Sequence, residues 1–133
     1  MATWTELRDH VQRKLMLAVD HGEWFGLTWS FKSGKPGMED IDVLQRQRVL
    51  LIQALGEPHV MLLSDIIEVD KAQPAAMLSH NMNIVIGGIA ITDGLYVMRA
   101  MFHLETLDYE YFDRACTMVA HEAGRLRELI PAS

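Results

Sequence analysis

IVIGGIAITDGLYVMRAMFHLETLDYEYFDRACTMVAHEAGRLRELIP, residues 84–131, reads as strand, tight turn, strand and long helix. The apolar run Ile84–Thr92 leads into Asp93-Gly94. That pair is the preferred filling of a two-residue type I′ turn, which needs positive φ at both central positions. Leu95–Leu104 returns as a second run, rich in Tyr, Val and Phe. The spacing then changes to a helical one. Phe112, Ala115 or Cys116, Val119, Ala123, Leu126 and Ile130 form one stripe, Asp108 stands where an N-cap belongs, and Pro131 should stop the helix. Arg125 and Arg127 sit in its last turns, where positive charge complements the helix dipole.

Upstream, Thr3–Asp20 carries Leu7, Val11, Leu15 and Ala18 or Val19 at three- and four-residue steps, which predicts an amphipathic helix. Thr3 or Thr5 would cap it and His21-Gly22 would end it. In Trp24–Phe31, the residues Phe25, Leu27, Trp29 and Phe31 alternate with Trp24, Gly26, Thr28 and Ser30, a half-buried strand. Lys32–Asp42, KSGKPGMEDID, reads as a loop and a place for partner contact. Gln45–Leu55 and His59–Val69 are two more strands, joined through Gly56-Glu57-Pro58. Their cores, VLLIQAL and VMLLSDII, are apolar on both faces, whereas a strand with one wet face should alternate. Asp70–Asn81 is short and helical, with Pro74 in its first turn and Asn81 as a left-handed terminator. The resulting order is α-β-β-β-α-β-β-α in a single domain over residues 1–133. The connections between most strands are too short for parallel crossovers. The expectation is therefore an α+β domain: an antiparallel sheet of about five strands with the terminal helices packed on one face.

Three features resemble a known family. They are MLSHNMN (Met77–Asn83), a short helix ending in Asn before a strand; the strand–turn–strand around Asp93-Gly94; and FHLETLDYEYFDRACTMVAHEAGRLRELI (Phe102–Ile130). Together with the element order they make the chain similar to YbjN-like proteins, whose fold is that of the CesT-type chaperones of type III secretion. The resemblance covers most of Trp4 to Ile130. It implies a small bacterial, cytoplasmic, homodimeric protein with no catalytic centre, chaperone-like or regulatory, that binds a protein client.

Composition agrees with a soluble globular domain. The chain has 133 residues, of which 50% are hydrophobic and 23% charged. The net charge of −6 disfavours nucleic acid, because phosphate binding needs a concentrated basic surface and the only basic cluster is Gln45-Arg46-Gln47-Arg48. No apolar run reaches membrane-spanning length, and the N-terminus shows no signal-peptide core. Cys116 is the single cysteine and falls on the apolar stripe of the last helix, where it reads as a small hydrophobe.

Chemical motifs are wanting. After His121-Glu122, the position that a zincin helix fills with its second histidine is Arg125. The six histidines show no ligand spacing on any one element. Gly87-Gly88 lacks the frame of a dinucleotide fingerprint and reads as a bulge or a close backbone approach. Asp65 and Glu68 lie on one strand without sharing a face. No catalytic residue, cofactor or metal is expected. Nine methionines are more telling, since flexible thioethers suit surfaces that accept varied apolar segments. The candidate protein-interaction residues are Met61, Leu63, Met77, Met82 and Arg99, the last as an anchor for an acidic group on a partner. A small-ligand sensor, or an enzyme assembled from scattered His and acidic residues, is the alternative. The two-faced apolar strands call for a cover, and a homodimer using the sheet or the short helix Pro74–His80 is the expected one.

Overall fold

The computed structural model describes residues 2–15 and 17–130, with the side chains of 17–19 left aside. Helix α1 runs over Trp4–Lys14, capped by Thr3, whose Oγ1 accepts from the Glu6 amide. Strands β1 (Leu17–Asp20), β2 (Trp24–Lys32), β3 (Asp42–Ala54) and β4 (Glu57–Glu68) follow as a meander. The chain then passes through α2 (Pro74–Ser79) to β5 (Gly88–Thr92), β6 (Leu95–His103) and α3 (Tyr109–Leu129). The sheet has six strands in the order β1-β2-β3-β4-β6-β5, and every neighbouring pair is antiparallel. The α+β architecture is as expected, with one strand more than the sequence suggested.

That extra strand comes from the first helix, which ends at Lys14 instead of Asp20. Leu15 is already extended, and Leu17–Asp20 pairs with β2. Gly22, expected to end the helix, instead turns a hairpin at φ +84, with its amide bonded to Asp20 Oδ1. The apolar steps at 15, 18 and 19 satisfy either period, and the sheet edge offered by β2 decides between them. The side chains of Ala18 and Val19, and the expected helix stop at Pro131, lie outside the described residues.

Two further boundaries move. The turn between β3 and β4 is Leu55-Gly56, with φ values of +55 and +76, and not Gly56-Glu57-Pro58. It is therefore a second two-residue turn of the same hand as Asp93-Gly94, whose φ values are +52 and +76. Strand β5 begins at Gly88 instead of Ile84, because Gly87 turns the chain at φ +79. A Cβ on Gly87 would lie 2.4 Å from the Arg99 carbonyl oxygen, so this is the close backbone approach that only glycine permits.

Both terminal helices cover the same face. Leu7 and Val11 of α1 share one core with Phe112, Ala115, Cys116, Val119, Ala123 and Leu126 of α3. Beneath them lies a row across the sheet, Phe25–Val49–Leu62–Ala100, each residue the partner of the next. His10 ties the helices together, with Nε2 at 2.8 Å from Asp113 Oδ1 and the ring stacked on Tyr109. A polar layer interrupts the apolar contact. Gln47, buried, accepts from the Trp29 indole and donates to the Cys116 carbonyl of α3, both at 3.0 Å. Gln45, also buried, donates to Ser64 Oγ and to the Asp65 carbonyl. The loop 33–41 is held to α3 as well. Glu128 accepts from the Ser33 hydroxyl and from the Gly34 amide.

Candidate protein-binding face

Strand alternation puts every second residue of β2, β3, β4 and β6 on the face away from the helices. The register fixes the rows of that face. One row is Trp24–Leu50–Met61–Met101, wholly apolar. Beside it runs Gly26–Arg48–Leu63–Arg99–Gly88. A third row pairs Ile52, His59 and His103. This explains why the strands read as apolar on both faces. One set of side chains packs under α1 and α3. The other faces away from them: Trp24, Leu50, Met61 and Met101 are half-buried while Leu63 and Val97 are buried, with neither α1 nor α3 over them.

The open face is concave toward one end. A depression of about 730 Å³ is lined by Trp24, Thr28, Arg46, Arg48, Leu63 and Asp65, with Asp93 and Leu95 at its rim. Arg48 reaches Asp65 at 3.6 Å. Arg46 and Arg99 are exposed, and no carboxylate lies within 4.0 Å of either among the described residues. Arg99 Nη2 lies 4.0 Å from the Met101 sulfur. At the opposite end, His103 Nε2 sits 2.7 Å from Glu57 Oε2, and the His59 and His103 rings meet edge to face.

Of the residues singled out from sequence, three come together here. Met61, Leu63 and Arg99 are neighbours on the open face, with Leu63 and Arg99 direct partners across β4 and β6. Met77 does not join them. It is 2% exposed in the core, because α2 turns its one buried residue inward and leaves none of that side chain on the surface. Met82 is 89% exposed, on the connection between β4 and β5 and not on the sheet. Sequence reading missed Trp24, Leu50 and Met101, the rest of the apolar row, although strict alternation from Met61 marks Leu63 and the register supplies the others. Arg46 and Arg48 appeared only as a short basic cluster, and their common face follows from their two-residue spacing.

Other candidates resolve into structural roles. The Cys116 thiol is wholly buried, and desolvation pushes its pKa well above the ordinary value, so it stays protonated. Glu122 holds Arg125 on the surface of α3. Among the described residues, no three His, Cys, Asp or Glu side chains gather as a metal site would require. No helix among them is long and apolar enough to cross a membrane.

No family model matches this chain, and no curated protein sequence matches it. Solved structures do share its architecture, among them the following two. A chain of the HopA1–SchA chaperone–effector complex aligns with a TM-score of 0.60 and 13% identity, over 93% of this chain and 91% of that one. A chain of the ExsC–ExsE complex aligns with a TM-score of 0.58 and 15% identity, over 96% and 92%. The chain has a type III secretion chaperone-like fold.

Proposed function

We propose that this chain is a cytoplasmic, homodimeric, non-catalytic module that holds a segment of another protein on its open sheet face. The observation that carries this reading is the row Trp24–Leu50–Met61–Met101, an apolar band across four strands with no covering element among the described residues. Exposed apolar bands on soluble domains mark interaction sites. The likeness to chains seen in a chaperone–effector complex and in a second two-protein complex supports the same reading. In it the two copies meet through the segment from α2 to β5, where Leu78, Met82, Val85 and Ile91 are exposed. The sheet face then stays available for the client.

The test uses Met61→Glu, which puts a charge in the centre of the band. Wild-type protein is expected to bind the neutral dye Nile red and to keep a reduced, unfolded test protein in solution. The variant is expected to lose both while keeping its unfolding free energy within about 1 kcal/mol of wild type, since Met61 is only half-buried. Unchanged dye and client binding in the variant would remove the open face from consideration. Light scattering at micromolar concentration checks the dimer, and a stable monomer would defeat that part.

A further inference from the structure

The open face has a gap at Gly26, where β2 presents no side chain. Phe25 and Leu27 on either side of it are buried beneath the helices, so Gly26 faces outward with Trp24 and Thr28. Its partner across the strands is Arg48, and all four residues line the depression on this face. A glycine inside a strand weakens it, and such a glycine marks a bulge or a place that another group approaches. The bulge nearby belongs to β1, between Leu17 and Val19, while β2 keeps an unbroken register with β3.

Both walls of the gap are already held in place. The Trp24 ring stacks on His21, with centroids 4.2 Å apart. The Arg48 guanidinium lies 3.6 Å from Asp65. Trp24 and Arg48 are diagonal neighbours across β2 and β3, roughly 7–8 Å apart at the backbone, which admits one flat ring between them.

We propose that the occupant of this face is anchored by one aromatic side chain, lying over Gly26 between the Trp24 indole and the Arg48 guanidinium. Charge complementarity selects an aromatic ring over other fillings. The ring presents a negative π face to the cation and stacks offset on the indole. An aliphatic side chain fills the same space and offers Arg48 no negative charge. A carboxylate would meet Asp65 beside the arginine. Trp and Arg are the residues most often found at binding hot spots, and groups ordered in advance lose little freedom when the partner arrives. This rests on the client-binding reading of the face and adds to it the chemistry of the residue that the face reads.

Titration of unlabelled peptides into the isotope-labelled full chain, followed by NMR, tests the anchor. The peptides place Phe, cyclohexylalanine or Ser at the centre of one Gly-Ser frame. The Phe peptide is expected to bind tightest and to shift the Gly26 amide and Trp24 indole resonances. Cyclohexylalanine is as large and at least as apolar but has no π face. It should bind about two- to fivefold more weakly, the range of an exposed cation–π contact. In Arg48→Gln the two should bind alike. Gly26→Val fills the gap with a residue that suits a strand. It should weaken the Phe peptide by about tenfold or more while its urea midpoint stays at or above that of wild type. Equal binding of Phe and cyclohexylalanine to wild type, or unchanged Phe binding in Gly26→Val, would overturn the anchor. Absence of Phe-peptide binding at millimolar concentration, in a chain that still takes up Nile red, would overturn it too and leave the open-face reading standing. Absence of both peptide and Nile red binding would sink the two together.

Discussion

Leu55 is the residue whose replacement should raise stability most directly. It sits at φ +55 in the turn between β3 and β4, and it is 99% exposed. The left-handed region costs an ordinary L-residue about 1–2 kcal/mol, because Cβ crowds the following carbonyl. Asn tolerates that region far better, and the Asn-Gly pair is the favoured filling of this turn. Since the leucine buries nothing, its removal forfeits no apolar contact. Leu55→Asn should therefore stabilise by about 0.5–1 kcal/mol. Leu55→Gly should gain less, because the unfolded chain becomes more flexible. The second hairpin supplies the reciprocal control. Asp93 occupies the equivalent place at φ +52, so Asp93→Leu should destabilise by a similar amount. Urea unfolding followed by circular dichroism reads both. With a slope of about 2 kcal/mol/M, the midpoints should move by about 0.3–0.5 M in opposite directions. Two unmoved midpoints at unchanged slope would refute the conformational argument. A loss of stability in Leu55→Asn would show that Leu55 is covered by something in solution.

Leu126, on the buried side of α3, is 1% exposed, so Leu126→Ala should cost about 2–5 kcal/mol in the same assay, and a shift near zero would take it out of the core. Gly87→Ala must hold φ +79 and place a methyl 2.4 Å from the Arg99 oxygen, which should destabilise by about 1–3 kcal/mol and loosen the β5 edge in hydrogen exchange. The hydroxyl of Ser33 and the amide of Gly34 hold the Glu128 carboxyl below its ordinary pKa. Its contribution is complete above the usual carboxylate range and disappears as pH falls through the lowered value. Glu128→Gln should accordingly be less stable than wild type at neutral pH, with the gap closing in acid; a gap independent of pH would exclude the ionised latch.

The elements that the sequence announces clearly are those whose local and tertiary preferences agree. Asp93-Gly94 is a turn by its own chemistry, and Asp108 caps α3 by accepting from the amides of Glu110 and Tyr111. Leu17–Asp20 is different. Its residues suit a helix by spacing, and only the unpaired edge of β2 makes them a strand. Leu55-Gly56 was hidden because leucine is a poor occupant of its own conformation. At the open face, the two-sided apolar character of β3 and β4 is plain in the sequence and marks Met61 and Leu63, while Arg99 stands out as a charge among the apolar residues of β6. Which residues lie side by side depends on register across four strands, and between β3 and β4 that register is set by a turn at Leu55-Gly56 and not at the expected Gly56-Glu57-Pro58. Met77 shows the opposite failure, since an apolar residue on a short helix gives no sign of whether it faces inward or out.

The Gln47 side chain links two things that could otherwise slide. Its amide bonds to a single carbonyl of α3, that of Cys116, while its oxygen is held by Trp29. A greasy helix on a greasy sheet can rotate or shift by a turn at small cost. A buried amide aimed at one peptide group makes each such shift leave polar atoms stranded. The layer thus acts as an indexing pin between helix and sheet. With the pin in place, a partner pressing on the opposite side of the strands meets a platform of fixed curvature, and the bound segment must adapt to the platform.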